Sequence, residues 1–115
     1  MATLRIPISI AAVVVALTTL APGPTAAACF ESGVGCTNDH LISSSMLRRL
    51  SCDALWTVRN TIYAENGYCF KTARGQAAFA SGSCTYDDAA MVPLNNYERD
   101  NIARIVAVER QKGCR

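Results

Sequence analysis

One stretch in the middle of the chain has the apolar spacing of a buried amphipathic helix. Leu55, Val58 and Ile62 recur at i, i+3 and i+7, which places them on one helix face. Ser51 precedes this stripe and can cap the helix. Gly67 can end it, because glycine readily adopts the left-handed conformation of a helix terminus. The pattern therefore predicts a helix that begins near Ser51 and stops at Gly67.

Two further helices are predicted later in the chain. Thr72 can cap a weakly amphipathic helix that runs to a stop at Gly82. Asn95, with Glu98 three residues later, has the pattern of a capping box, and the helix that follows ends at Gly113. The sequence therefore predicts a small, mainly α domain with three principal helices.

The first 28 residues have the pattern of a secretory signal peptide. Arg5 provides a positive n-region, an apolar run covers residues 8–20, and residues 26–28 are alanines that suit a signal peptidase. The apolar run is shorter than the roughly 20 residues that span a bilayer, which argues against a retained anchor. We expect a periplasmic or secreted protein with no membrane span once the signal is removed.

Six cysteines, all after the predicted signal, are typical of a disulfide framework in a short exported chain. No C-x-x-C pair is present and His40 is the single histidine, so neither a zinc site nor another cofactor is predicted. Six cysteines allow fifteen connectivities. If the first and third helices are antiparallel, the cysteines at their adjoining ends can pair. The predicted bonds are Cys29 to Cys36, Cys52 to Cys114 and Cys69 to Cys84.

The segment between the predicted signal and the first helix has no sustained periodicity. Residues 29–45 are rich in glycine, serine and asparagine, so we expect a loop closed by the first disulfide. The helical domain then covers residues 46–115 and starts with a short apolar turn. Cys29 directly follows small residues, which also resembles a lipoprotein processing site. Lipidation would leave one of the remaining five cysteines unpaired, so ordinary cleavage is favoured and lipid anchoring stays as the alternative.

The charge balance excludes one class of partner. The chain has eleven basic and nine acidic side chains, and one of the basic ones, Arg5, lies in the predicted signal. Nucleic acid is therefore not an expected partner, because phosphate binding requires a basic surface. A domain of this size buries only about 60 to 65% of its unfolded surface, so we expect the disulfides to supply much of its stability.

The segment RNTIYAENGYCF, residues 59–70, resembles the core motif of the YARHG domain family, which reads approximately R-N-x-I-Y-A-R-H-G-Y-x-F. The matching positions are Arg59, Asn60, Ile62, Tyr63, Ala64, Gly67, Tyr68 and Phe70. A later family motif, L-x-x-x-E-x-x-N-I, is similar to the segment with Leu94, Glu98, Asn101 and Ile102. Glu65 and Asn66 stand where the family has arginine and histidine. The resemblance implies an extracellular bacterial domain and carries no established activity.

Polar side chains on the first helix and just after it are the candidate binding residues. Arg59, Asn60 and Tyr63 lie on neighbouring parts of one turn and can converge on a ligand, with Glu65 and Tyr68 close by. The alternative interpretation, which we favour, is that these residues stabilise the fold and do not bind a ligand. Arg59 then pairs with Glu98 or Asp100, Asn60 satisfies loop carbonyls, and Tyr63 packs its ring.

Two classes of function are compatible with these features. The favoured one is an exported, non-catalytic module of the cell envelope that binds cell-wall polymer or an envelope protein. The alternative is a small envelope hydrolase that uses some of Arg59, Tyr63, Glu65 and Asp87, or a secreted inhibitor. Catalysis is disfavoured because no nucleophile or histidine is expected near the carboxylates. A cleft lined by Arg59, Tyr63 and a carboxylate with a perturbed pKa would favour the hydrolase.

Overall fold

The computed structural model describes residues 3, 11–16, 29–30, 34–79 and 82–115. Most of the predicted signal peptide, residues 1–28, lies outside these ranges. Within them, no helix has both the length and the apolar character needed to cross a bilayer.

The described residues form a mainly α fold, as predicted. Two short strands pair antiparallel ahead of the helices, and a 3-10 turn at Ala89–Met91 precedes the last helix. The strands are β1 (Cys29–Phe30) and β2 (Gly35–Cys36), and the helices are α1 (Ser44–Arg49), α2 (Cys52–Glu65), α3 (Ala73–Ala78) and α4 (Asn96–Lys112).

The ends of α2 and α4 lie where the capping signals predicted them. The Ser51 hydroxyl accepts from the Ala54 amide at 3.1 Å at the start of α2. Asn95 and Glu98 form a complete capping box at the start of α4, with side chain to backbone distances of 2.9 and 3.0 Å. Gly113 closes α4 with φ of 68°. These local signals therefore predicted the positions of both long helices correctly.

Two boundaries differ from the prediction. The expected turn before α2 is a capped helix, α1, whose end is held by the Lys112 ammonium through the carbonyls of Arg48 and Leu50 at 3.0 and 2.7 Å. Such a short helix depends on contacts of this kind. Helix α3 ends at Ala78 instead of continuing to Gly82. Phe79 leaves helical geometry there, and its ring packs against other aromatic side chains.

The core lies mainly between α2 and α4, with α1 against α4. Its buried apolar side chains are Val34, Ile42, Leu47, Leu55, Val58, Ile62, Ile105 and Val108. Three disulfides join the pairs expected from an antiparallel α2 and α4. They are Cys29 to Cys36, Cys52 to Cys114 and Cys69 to Cys84.

A buried amide attaches the segment before α1 to α4. Asn101 is fully buried; its side-chain oxygen accepts from the Ile42 amide at 2.9 Å. Its nitrogen donates to the carbonyls of Thr37 and His40, each at 2.9 Å. The polar segment that the sequence predicted as a loop is therefore pinned to the helical domain, at least over residues 37–42.

Candidate binding cleft

An open cleft of about 310 Å³ lies between the last turns of α2 and the segment that follows α3. Aromatic rings form much of its wall, and polar side chains stand at intervals among them. The lining includes Thr61, Glu65, Tyr68, Phe70, Phe79 and Ser83.

The backbone around Gly67 holds the two sides of the cleft together. Gly67 has φ of 90°, which favours glycine, and the chain turns there from α2 into an extended segment. Its carbonyl accepts from the amides of Thr85 and Tyr86 at 2.8 and 2.9 Å. The Cys69 to Cys84 disulfide links the same two segments. The cleft wall is therefore fixed by backbone pairing and a covalent bond.

A continuous row of aromatic rings runs along this side of the molecule. Tyr63 contacts Tyr68 with ring centroids 5.8 Å apart, and Tyr68 meets Phe70 edge to face at 4.9 Å. Phe70 stacks on Phe79 at 4.9 Å, and Phe79 lies 5.9 Å from Trp56. Each distance is typical of a favourable ring pair. The middle of this row forms the apolar surface of the cleft.

A glycine in α3 allows the row to form. A Cβ atom added at the buried Gly75 would lie 2.6 Å from Cδ1 and 2.9 Å from Cβ of Phe70. Any larger residue would therefore push α3 away from the Phe70 ring. Because Phe79 directly follows α3, its stacking on Phe70 depends on this close approach.

One end of the aromatic row is occupied by a cation from the chain itself. The Arg74 guanidinium carbon lies 3.9 Å from the centroid of the Trp56 ring. The same guanidinium donates to the Asp53 carboxylate at 2.8 Å. Ring, cation and carboxylate form a cation–π arrangement with its own counter-ion.

The cleft carries one carboxylate among its described lining residues, that of Glu65. The side chain is exposed, but partial desolvation against the cleft raises the pKa of this carboxyl, and the nearby negative charge of Glu98 raises it further. No lysine or arginine lies among these lining residues. The local charge of the cleft is therefore negative.

The five predicted binding residues do not converge. Glu65 and Tyr68 both line the cleft. Tyr63 touches the Tyr68 ring but lines a second cleft, of about 390 Å³, with Val92 and Ile102. Arg59 and Asn60 line neither cleft.

The predicted ion pair of Arg59 with Glu98 or Asp100 is wrong. Its guanidinium forms a two-point ion pair with Glu109, at 2.7 Å from Nε and 3.1 Å from the second nitrogen, and contacts neither Glu98 nor Asp100. The helix register explains this. The Cys52 to Cys114 bond aligns the start of α2 with the end of α4, so the middle of α2 faces the last turns of α4.

The partner of Glu98 on α2 and the partner of Asn60 also differ from the prediction, although the predicted capping box of Glu98 is present. Glu98 lies opposite the end of α2, where it accepts from the Asn66 side chain at 2.6 Å. The Asn60 side chain donates to the Trp56 carbonyl at 2.8 Å. That carbonyl belongs to the preceding turn of α2 and not to a loop.

Two other polar positions have structural partners outside the cleft. The exposed His40 ring lies 2.7 Å from an Asp39 carboxylate oxygen and 3.2 Å from the Val34 carbonyl. These acceptors, Asp39 first, raise the pKa of His40. Asp88 caps the 3-10 turn by accepting from the Ala90 amide at 2.9 Å. In the part of the chain that is described, no group of three or more metal-ligating side chains could hold a metal ion.

The family model of the YARHG domain matches residues 34–110, about two thirds of the chain. The chain belongs to the YARHG domain family. No curated protein and no solved structure matches it significantly. The match begins at the buried Val34, so the YARHG domain includes the segment that Asn101 binds. The YARHG domain and the disulfides together indicate an extracellular location.

Most polar residues of the YARHG motifs have scaffold contacts in this structure. Arg59 pairs with Glu109, Glu98 caps α4, and Asn101 binds the preceding segment. Four matching motif positions belong to the cleft lining, and two of them, Tyr68 and Phe70, supply aromatic rings. The lining also includes Phe79 and Ser83, which lie outside the YARHG motifs.

Sequence reasoning missed Phe79 and Ser83 as lining residues. Phe79 lies within the weakly amphipathic helix predicted between Thr72 and Gly82, and Ser83 has no motif around it. Ser83 reaches the cleft because the Cys69 to Cys84 bond returns the chain to the end of α2. Phe79 reaches it because α3 packs closely on Phe70. The cysteine pairing is the sequence signal that could have indicated Ser83, and no comparable signal indicates Phe79.

Proposed function

We propose that this YARHG domain is an exported, non-catalytic module of the bacterial cell envelope, and that it binds an envelope component through the aromatic cleft. The observation that carries this proposal is the open cleft walled by Tyr68, Phe70 and Phe79, with the Glu65 carboxylate in its lining. Concave sites of this composition, apolar with a few polar groups, are the usual form of ligand sites.

Binding explains the chemistry of the cleft better than catalysis does. No histidine lies among the described lining residues, and the Thr61 hydroxyl donates to the Thr57 carbonyl at 2.7 Å. Arg59 and Tyr63, the partners expected for a hydrolase, are not part of the lining. A single carboxylate beside aromatic rings can orient a ligand without acting on it.

The test is a pull-down with the oxidised protein, purified after export with its own leader. Purified sacculi and solubilised envelope proteins serve as the two baits. A Tyr68→Leu variant removes a cleft ring, and Tyr97→Leu removes a tyrosine that is 45% exposed on α4, away from the cleft lining. Both variants are first shown to be folded by circular dichroism.

We expect one bait to retain the wild type and Tyr97→Leu and to lose most of Tyr68→Leu. Equal retention of all three proteins, or retention of none, would contradict a binding site at the cleft.

An envelope hydrolase is the second candidate, and one observation favours it. The pKa of Glu65 is raised within a cleft, which is the property of a general acid. The release of soluble fragments from sacculi by the wild type, and its loss in Glu65→Gln, would replace the binding proposal by this one.

A further inference from the structure

A carboxylate lies beside the aromatic row at two places, at its Trp56 end and at the cleft in its middle, and the two places differ in whether a cation accompanies the carboxylate. At the Trp56 end, Arg74 supplies a cation that contacts the ring at 3.9 Å and the Asp53 carboxylate at 2.8 Å. The chain therefore already uses one end of this row to hold a positive group against an aromatic face.

At the cleft, in the middle of the row, no corresponding cation lies among the described lining residues. Tyr68 and Phe79 are half-buried and present part of their surface to the cleft, while Phe70 is only 7% exposed and lies behind them. Glu65 supplies the carboxylate, and its side chain is exposed. Ring and carboxylate therefore share one open space, and no described lining residue supplies a counter-ion.

We propose that the cleft binds an alkylammonium group, such as the side-chain amine of a lysine-type residue. Glu65 provides the counter-ion, and Tyr68 and Phe79 provide the walls against which the alkyl chain and the ammonium lie. This inference rests on the proposed function, since it takes the cleft as the binding site and adds the chemical class of the ligand.

The physical chemistry of the lining selects this class over the alternatives. An ammonium is attracted both to the electron-rich ring faces and to the carboxylate. An anionic ligand would be repelled by Glu65 and would find no basic side chain among the lining residues that the structure describes. A neutral sugar would gain ring contacts but nothing from the net charge. The cleft volume, about 310 Å³, is at the lower end of the range for small-ligand sites.

The test is an NMR titration of the oxidised protein with two matched probes. Nα-acetyl-lysine methylamide carries the ammonium, and its Nε-acetylated form has a longer side chain but no charge. We expect the charged probe to shift the amide signals of residues 65–70 and of Phe79, and the acetylated probe to leave them in place. Equal shifts with both probes would overturn the ammonium assignment.

Two carboxylate variants provide the matched control. Glu65→Gln keeps the shape of the side chain and is expected to weaken binding of the charged probe about two- to fivefold, the value of one partly exposed ion pair. Asp53→Asn removes the carboxylate that Arg74 already occupies and is expected to leave the affinity unchanged. An unchanged affinity in Glu65→Gln would also overturn the proposal.

The outcome separates this inference from the proposed function. If sacculi or envelope proteins retain the protein in a Tyr68-dependent way but the lysine probe does not bind, the ligand class is wrong and the cleft remains a binding site. If neither retention nor probe binding is seen, both proposals fail.

If the lysine probe binds, acetylation of the amines of the sacculi identifies the source of the ligand. Loss of retention by the acetylated sacculi places the amine on the wall polymer. Unchanged retention places the amine elsewhere.

Discussion

At the scale of single residues, the Asn101 side chain satisfies backbone hydrogen-bonding groups that a helix or a sheet would otherwise pair. It lies on α4 and satisfies backbone groups of Thr37, His40 and Ile42, a segment without its own helix or sheet pairing over these positions. Buried backbone groups require such partners. The sequence identified Asn101 only as a motif position, because its partners lie about 60 residues away and no periodicity indicates them.

Replacing Asn101 with leucine should destabilise the protein strongly. Leucine has a similar size but leaves the buried Ile42 amide without its acceptor, so we expect a loss of about 3 kcal/mol in the free energy of unfolding. Urea denaturation measures this loss. Gln111→Leu, at an exposed position of the same helix, is the control. A loss of less than about 1 kcal/mol in Asn101→Leu would contradict the proposed importance of the amide.

His40 should titrate above its ordinary pKa of 6.5, because Asp39 and the Val34 carbonyl both favour the protonated ring. Because the pKa of His40 is raised in the folded state, its protonated ring stabilises the fold. This contribution to the free energy of unfolding is complete below the pKa of the unfolded state and is lost as the pH rises through the pKa of the folded state. An NMR titration of the ring measures this pKa, and Asp39→Asn should lower it. A wild-type value at or below 6.5 would refute the assignment.

At the scale of elements, boundaries set by neighbouring residues could be predicted, and those set by distant contacts could not. Ser51, Thr72 and Asn95 cap their helices as expected, because a cap needs only the next three residues. The end of α3 at Ala78 follows from the packing of Phe79 on Phe70, which the local sequence does not encode. The position of the cleft was missed for the same reason.

Gly75→Ala tests the close contact between α3 and Phe70. Helix propensity alone predicts a gain of about 1 kcal/mol, but the new methyl group would meet the Phe70 side chain at 2.6 Å. We therefore expect a net loss of about 1 to 3 kcal/mol by urea denaturation. Ala77→Gly, at an exposed position of α3, should cost about 1 kcal/mol and calibrates the propensity term. A more stable Gly75→Ala would show that the helix shifts freely.

At the scale of the whole molecule, the disulfides and the helix register are one constraint. The Cys52 to Cys114 bond places Arg59 near Glu109 and leaves Glu98 near Asn66. The helix boundaries predict the cysteine pairing, and the register that follows from it places Arg59 opposite Glu109. The predicted pairing of Arg59 with Glu98 or Asp100 is wrong because it does not fit this register.

Removing the disulfides one at a time should separate their contributions. In the chain-entropy model the Cys52 to Cys114 bond, which closes 62 residues, stabilises by about 4 kcal/mol, and the Cys69 to Cys84 bond, which closes 15, by about 3 kcal/mol. Paired cysteine to serine variants, compared by urea denaturation, check this order. A larger loss for the shorter loop would contradict the entropic account, and non-reducing peptide mapping verifies the pairs.

The covalent closure of the cleft wall has a consequence for timing. Cys84 lines the cleft and is bonded to Cys69, so a newly made chain in a reducing environment lacks part of what holds this wall together. If the protein is exported as proposed, this wall is completed by an oxidation that takes place after synthesis, in the compartment that receives the chain. A ligand present where the chain is made would then meet an unfinished cleft, and binding would be kept apart from synthesis without any separate inhibitor.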